Sequence, residues 1–202
     1  MPIRAVIFDL GGVLVRTEDP TPRARLAERL GMSPAELSRI IFDEESARQA
    51  ALGAITTQEH WETVRSKLGL SPEEFPIVPV EFWGGDILDK DLVDYIRALR
   101  PRYKTALLSN AWDDLRQVLE EYWKIADAFD GIFISAEVGL LKPDPRIYQL
   151  ALERLGVAPQ EAVFVDDFPE NVAGARAVGM HAIHFRDAQQ ARADLEAVLD
   201  GR

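Results

Sequence analysis

The sequence contains no cysteine. A disulfide framework, a thiolate zinc site, an iron–sulfur cluster and a cysteine nucleophile are therefore excluded. The absence is consistent with a reducing compartment. A chain of 202 residues does not need such cross-links to fold, because a domain of this size buries roughly 70% of its unfolded surface.

Positive charge is also scarce. The chain has 23 lysines and arginines against 34 aspartates and glutamates, which gives a formal net charge of −11. A protein that binds a nucleic-acid backbone shows a basic stripe or a high pI, so we expect no nucleic-acid partner. The same balance argues against binding to an anionic membrane surface.

Long apolar runs are missing as well. None reaches the roughly 18 residues that a membrane-spanning helix needs. Residues 1–4 lead directly into a strand pattern, without the apolar segment and cleavage site of a secretory signal. We therefore expect a cytoplasmic protein without a membrane partner.

The chain does show a regular alternation of short apolar runs and helical patterns. Runs of four to six almost continuously apolar residues are typical of strands buried on both faces of a parallel sheet. They span residues 3–8, 105–108, 131–134, 162–165 and 182–185. With helices between them, they predict an α/β fold with a doubly wound, Rossmann-like parallel sheet.

One segment interrupts this alternation. From about residue 17 to residue 85 we find no convincing strand, but three Ser/Thr-x-x-Glu capping boxes begin at Ser33, Thr56 and Ser71. Such boxes are typical of helix N-termini. We therefore predict an all-helical domain, residues 17–88, inserted into an α/β core domain made of residues 1–16 and 89–202.

Polar residues follow or lie near the ends of the predicted strands. They comprise carboxylates, a lysine, a hydroxyl, an amide and a pair of glycines: Asp9, Gly11, Gly12, Ser109, Asn110, Lys142, Asp166 and Asp167. Ligands of open α/β sheets bind outside the carboxyl ends of the strands, which share one edge. We therefore expect these residues to converge there.

Each of these signals has a structural alternative when taken singly. Asp9 can cap a turn, Ser109 can cap a helix, and Lys142 can be solvated. The pair Asp166 and Asp167 can divide between a helix cap and solvent. Together, three carboxylates, a cation and neutral donors are what phosphoryl chemistry on a divalent metal requires. Mg²⁺ prefers such carboxylate ligands together with phosphate oxygens.

The order of these motifs resembles the haloacid dehalogenase-like (HAD) hydrolase superfamily over essentially the whole chain. The stretches GLLKPDPRIY and DDFPENVAGARAVGM resemble its phosphatase branch. The predicted helical insert resembles the C1-type cap of that family, which closes over the active site.

The resemblance implies a catalytic role for three residues. Asp9 matches the nucleophile, which forms an aspartyl-phosphate that water then hydrolyses. Ser109 and the backbone of Asn110 match the groups that bind phosphoryl oxygens. Lys142 matches the lysine that neutralises charge on the nucleophile and the phosphoryl group, so it belongs to both the catalytic and the substrate-binding set.

The resemblance also implies a magnesium site. Mg²⁺ would be held by the carboxylates of Asp9 and Asp167 and by the carbonyl oxygen of Gly11. Asp166 would support this set. The expected partner is a small phosphorylated molecule, and the sequence indicates no oligomeric state.

Gly11 departs from the family pattern Asp-x-Asp, whose second Asp serves as general acid and base. Such a group contributes roughly 10²–10⁴-fold in rate.

The favoured hypothesis is a Mg²⁺-dependent phosphatase of a small phosphorylated metabolite, with a sugar phosphate as one candidate. The alternatives are a weakly active or non-catalytic binding protein of this fold, and a metal-independent dehalogenase-like hydrolase.

Five residues in or near the insert are candidate substrate contacts: Arg16, Arg48, His60, Trp61 and Trp83. For His60 and Trp61 we favour a packing or surface position over ligand binding. Trp112 and Trp123 are expected to pack on the helix after the second strand.

Overall fold

The computed structural model describes residues 1–42 and 44–201. These residues form seven strands: β1 (Ala5–Phe8), β2 (Val15–Thr17), β3 (Asp86–Leu88), β4 (Lys104–Ser109), β5 (Gly131–Ile134), β6 (Ala162–Asp166) and β7 (His181–His184). Five of them form a parallel sheet in the order β5-β4-β1-β6-β7. The fold class predicted from the sequence is confirmed.

Eleven α-helices accompany the strands within the described residues. They are α1 (Thr21–Arg29), α2 (Pro34–Phe42), α3 (Glu45–Ala51), α4 (Thr57–Leu68), α5 (Ile77–Phe82), α6 (Lys90–Leu99), α7 (Leu115–Gln117), α8 (Ser135–Val138), α9 (Pro145–Leu155), α10 (Pro169–Ala177) and α11 (Ala188–Leu199). A π-helical turn, Val118–Tyr122, continues α7, and 3₁₀ turns lie at Ala126–Ala128 and Pro159–Glu161.

Helices cover both faces of the five-stranded sheet. On one face α6 and α11 pack against alternate side chains of the strands. On the other face α9 and α10 pack against the remaining ones. The central strands β1, β4 and β6 are therefore almost entirely buried, which explains why they are continuously apolar rather than alternating.

Helices α1 to α5 occupy the predicted insert and share an apolar cluster of their own. Its buried members are Leu26, Ala27, Leu37, Ile41, Val64, Phe75, Val78 and Phe82. The capping boxes at Ser33 and Thr56 form. The same hydrogen bonds form at Ser71, but they close a turn, and α5 begins only at Ile77.

The short strands β2 and β3 pair in antiparallel fashion at the two ends of the insert. Neither strand was predicted, because three residues are too few to show a periodicity. Arg16 of β2 donates to the carbonyl of Val13 (2.6 Å) and to Asp89 (2.9 Å). Its guanidinium therefore fixes this junction, and the expectation of a substrate contact is not supported.

Within the described residues, no helix has both the length and the apolar character required to cross a bilayer.

Candidate active site

The register of the sheet brings the polar strand ends to one edge. Phe8 of β1 is paired with Leu107 of β4 and with Val165 of β6. Asp9 and Asp166 directly follow these paired positions. Ser109 ends the neighbouring strand β4. All three polar side chains are buried, so their protein surroundings control their charge and hydrogen bonding.

Lys142 lies between two of the carboxylates. Its Nζ is 2.8 Å from Oδ1 of Asp9 and 2.6 Å from Oδ2 of Asp166. The lysine side chain is only 1% exposed. A buried charge is tolerated when it is paired with opposite charge. The lysine therefore supplies the opposite charge that ionised carboxylates need in the interior.

Asn110 holds the backbone of Lys142. The Asn110 side chain donates to the Lys142 carbonyl (3.0 Å) and accepts from the Lys142 amide (2.8 Å). This pair ties the end of β4 to the loop before α9. The sequence indicated phosphate binding for Asn110, through its amide or its backbone, and did not predict the contact with Lys142, because nothing local indicates a partner 32 residues away.

The oxygens of Asp166 are fully engaged. Besides Lys142, they accept from the Phe168 amide (2.8 Å) and from Nδ2 of Asn171 (3.1 Å to each oxygen). Asn171 lies in the first turn of α10. Its role is not evident from the sequence, in which the spacing of five residues from Asp166 is the available signal.

Asp167 differs from Asp166 in its hydrogen bonding. Its Oδ1 is buried and has no hydrogen-bond partner among the described residues. Oxygens of Asp9, Asp166 and Asp167 all lie within 4.8 Å of one another. Buried polar atoms are rarely left unpaired. An orphaned oxygen in a cluster of carboxylates fits a hard cation such as Mg²⁺.

The protonation behaviour of the cluster supports the same interpretation. Burial raises the pKa of Asp9 to about 7; the Lys142 charge opposes this rise and the Asp166 charge adds to it. Burial, and then the Asp166 charge, also raise the pKa of Asp167. Without a cation, both carboxyl groups therefore bind a proton more readily than a solvent-exposed carboxyl group does, and a divalent cation at the cluster would favour their ionised forms.

The two glycines after Asp9 differ in backbone conformation and in the space around them. Gly12 has a φ of +75°, and a Cβ built on it would lie 2.1 Å from Oδ2 of Asp167, so only glycine fits there. Gly11 does not have a positive φ, and a Cβ at that position meets nothing within 4 Å. The backbone therefore does not impose glycine at residue 11.

Two candidate contacts inside the insert, His60 and Trp61, pack within it. His60 is completely buried. Its ring nitrogens lie 2.9 Å from Oγ of Ser46 and 3.1 Å from the carbonyl of Ile41, and burial lowers its pKa. Trp61 packs against the apolar cluster of the insert. Arg48 is exposed and lies 3.9 Å from Glu45 of the same helix.

Trp112 does not pack on the helix after β4 as expected. Its ring instead contacts four rings of the insert, those of Phe42, His60, Trp61 and Trp83, at centroid distances of 4.6 to 6.4 Å. The expectation was wrong because Trp112 lies in the loop before α7, where its side chain is free to turn toward the insert.

A second contact joins the same loop to the insert. The amide and the hydroxyl of Thr57 donate to Oδ1 of Asp113, at 3.0 and 2.5 Å. Thr57 is the first residue of α4. The loop after β4 therefore contributes to the polar edge at Ser109 and contacts the insert three to four residues later.

Several known proteins are similar to this chain. A sesquiterpene phosphatase of Aspergillus oryzae is 31% identical over 92% of this chain and 91% of its own length. An (S)-2-haloacid dehalogenase of a Pseudomonas species is 28% identical, over 91% of this chain and 85% of its own length. The bifunctional epoxide hydrolase 2 of Rattus norvegicus is 30% identical over 98% of this chain, which spans only 39% of that protein.

The fold recurs in a solved structure. A HAD family enzyme from Bacteroides thetaiotaomicron, in complex with magnesium and inorganic phosphate, has a TM-score of 0.78 and 23% identity, covering 94% of this chain and 98% of that one. The haloacid dehalogenase-like hydrolase family itself matches residues 3–179. The chain is therefore a member of the haloacid dehalogenase-like hydrolase family, and phosphatases are among its relatives.

Proposed function

We propose that the protein is a Mg²⁺-dependent phosphatase of a small phosphorylated metabolite, acting through an aspartyl-phosphate. The observation that carries this proposal is the buried, unpartnered Oδ1 of Asp167 beside Asp9. Family dehalogenases work without a metal, as the resemblance implies. A metal-independent reaction gives no reason for a buried carboxylate oxygen at this position to lack a hydrogen-bond partner.

Asp9 is the proposed nucleophile. The hydrogen bond from the Leu10 amide and the contact with Lys142 both fall on Oδ1, which leaves Oδ2 to attack phosphorus. The P–O bond to the leaving group breaks as the Asp9–phosphorus bond forms. Water then attacks phosphorus and releases inorganic phosphate and the free carboxylate.

The remaining polar residues stabilise charge around that step. Lys142 compensates negative charge on Asp9 and on the phosphoryl oxygens, and Ser109 and the Asn110 backbone bind those oxygens. Asp9, Asp167 and the Gly11 carbonyl would hold Mg²⁺, with Asp166 orienting Lys142. When bound, the ion supplies electrostatic stabilisation of the phosphoryl group.

The helical insert is proposed to act as a cap domain, residues 17–88, on a core of residues 1–16 and 89–202. Its separate apolar cluster and its attachment through β2 and β3 support this division. A closed cap excludes water and holds the substrate. The cytoplasmic location and the absence of a nucleic-acid partner stay predictions of the sequence.

Magnesium is expected to stabilise the protein and to be required for activity. Because the cation would relieve repulsion among carboxylates in the folded state only, it should raise the melting temperature in a concentration-dependent way. Thermal unfolding and phosphate release from p-nitrophenyl phosphate are measured with Mg²⁺ and with a chelator. Unchanged stability and activity in the chelator would refute the metal site.

Two conservative variants sharpen this test. Asp167→Asn removes the orphaned carboxylate, so the Mg²⁺-induced shift should be lost. Asp166→Asn changes a carboxylate already engaged by Lys142 and Asn171, so the shift should be reduced less. Halide release from 2-chloropropionate without metal would instead favour the dehalogenase hypothesis, and neither activity would favour a binding protein.

Gly11 predicts a strong dependence on the leaving group. Without a side-chain acid at this position, the departing oxygen leaves as an anion or takes a proton from water. Aryl and acyl phosphates should therefore react much faster than alkyl phosphates. Gly11→Asp, which the open space allows, should accelerate alkyl phosphates most, by about 10²-fold. A wild-type enzyme equally fast on aryl and alkyl phosphates would show that another group supplies the proton.

A further inference from the structure

Three aromatic rings form a continuous surface between the insert and the core, which we call the aromatic cluster: Phe42, Trp83 and Trp112. The ring of Phe42 lies 5.6 Å from that of Trp83 and 6.3 Å from that of Trp112. The two tryptophan rings lie 6.4 Å apart. Each ring therefore contacts the other two, although they come from three separate segments of the chain.

The aromatic cluster is partly open to solvent. Phe42 is 44% exposed and Trp83 is 39% exposed, while Trp112 is partly buried behind them. Large aromatic side chains normally contribute their area to a core. Apolar surface that stays contiguous and exposed is a mark of binding sites.

Two members of the aromatic cluster are connected to the polar edge of the sheet by short stretches of chain. Trp112 lies only three residues after Ser109, in the loop that leaves the polar edge of the sheet. Trp83 precedes β3, which pairs with β2, and β2 in turn follows the Asp9 loop. The cluster therefore lies where the chain passes from the proposed phosphoryl site into the insert.

The polar groups beside the aromatic cluster are already engaged within the protein. Both ring nitrogens of His60 are hydrogen-bonded. Arg23 donates to the Phe82 carbonyl and to Asp86, and its guanidinium stacks 4.1 Å from the centre of the Phe82 ring. Asp113 accepts from Thr57. Apart from the indole N–H groups of Trp83 and Trp112, the cluster therefore offers ring surface for a ligand to contact.

From these observations we infer that the aromatic cluster binds the organic part of the substrate, and that this part is an apolar alkyl, isoprenoid or aryl group rather than a polyol. The inference rests on the proposed phosphatase function. A sugar or polyol phosphate would lose more hydrogen bonds to water against the rings than two indole N–H groups could replace. An apolar chain would instead remove both itself and the rings from water.

Chain length is the direct test. Butyl, hexyl and octyl phosphate have nearly the same leaving-group pKa, so the chemical step is matched along the series. We expect kcat/KM to rise about two- to fourfold per methylene added, mainly through KM. Ribitol 5-phosphate is expected to react more slowly than octyl phosphate. Activity that is independent of chain length, or higher on the polyol phosphate, would overturn the inference and leave the phosphatase function standing.

Substitutions in the aromatic cluster test whether it causes the dependence of kcat/KM on chain length. Trp83→Ala and Phe42→Ala change exposed side chains, so the fold should survive. Each should lower kcat/KM for octyl phosphate about tenfold or more while changing butyl phosphate little. Tyr122→Ala is the matched control, because Tyr122 is an exposed aromatic residue (79%) outside the cluster. Equal effects of all three substitutions would contradict the assignment.

A binding measurement keeps the inference testable if no substrate is hydrolysed, an outcome that would refute the phosphatase function itself. Octyl phosphonate has a P–C bond that phosphatases do not cleave. Titrated into the wild-type protein with Mg²⁺, it should change tryptophan fluorescence at lower concentration than butyl phosphonate, and Trp83→Ala should remove the difference. Identical titrations of the two phosphonates would exclude an apolar subsite at the aromatic cluster.

Discussion

The Asp9→Asn protein is expected to release phosphate only at the background rate while keeping its fold. The amide has the shape of the carboxylate but cannot attack phosphorus, so the covalent step is lost. Removal of a nucleophile or its activating partners costs on the order of 10⁴- to 10⁶-fold in rate. Phosphate release under single-turnover conditions, with aryl phosphate and Mg²⁺, measures the loss.

The fold of this variant can be checked independently. Lys142 retains its contact with Asp166, and the Leu10 amide can still donate to the side-chain oxygen of Asn. Circular dichroism and the melting temperature without metal should therefore stay close to those of the wild type. Turnover comparable with the wild type would refute the aspartyl-phosphate mechanism.

Lys142→Met should cost both activity and stability. The substitution leaves Asp9 and Asp166 facing each other in the interior without the cation that lies within 2.8 Å of each. Removing one partner of a buried ion pair lowers the free energy of unfolding by about 3–5 kcal/mol. Urea unfolding of the metal-free protein measures the stability, and phosphate release should fall to background.

Two further variants distinguish the loss of the buried ion pairs of Lys142 from the loss of its side-chain packing. Adding Asp166→Asn to Lys142→Met removes one of the two uncompensated carboxylates, so stability should partly return while activity does not. Lys67→Met is the matched control, because Lys67 pairs with Glu44 at the surface and exposed pairs contribute about 0–1 kcal/mol. Equal losses in Lys67→Met and Lys142→Met would show that the buried pairing has no special importance.

The sheet could be predicted because its physical cause is local. A strand covered by helices on both faces is apolar at every position, and the runs at 3–8 and 162–165 show this directly. The polar residues that end these strands, such as Asp9 and Asp166, were identified for the same reason. Parallel strands share their carboxyl edge, so topology alone brought the residues together.

The remaining features depend on contacts between distant parts of the chain. The pairing of Asn110 with Lys142 and the contacts of Trp112 with the insert leave no periodic pattern in the sequence. Strands β2 and β3 pair with each other across about 70 residues of sequence, and each is too short to show a periodicity of its own. Asp166 and Asp167 are adjacent and alike in sequence. Only the surrounding donors engage both oxygens of Asp166 and leave Oδ1 of Asp167 without a partner among the described residues.

The loop after β4 has a consequence for protein engineering. The insert has an apolar core of its own, which suggests that it can be exchanged between members of the family as a cassette with boundaries near β2 and β3. However, Trp112 and Asp113, which contact the insert, are encoded in the core. In a chimera that replaces residues 17–88 alone, the new insert would face the indole of Trp112 and the carboxylate of Asp113 without the residues that contact them here. Residues 112–114 therefore need to be transferred with the cassette.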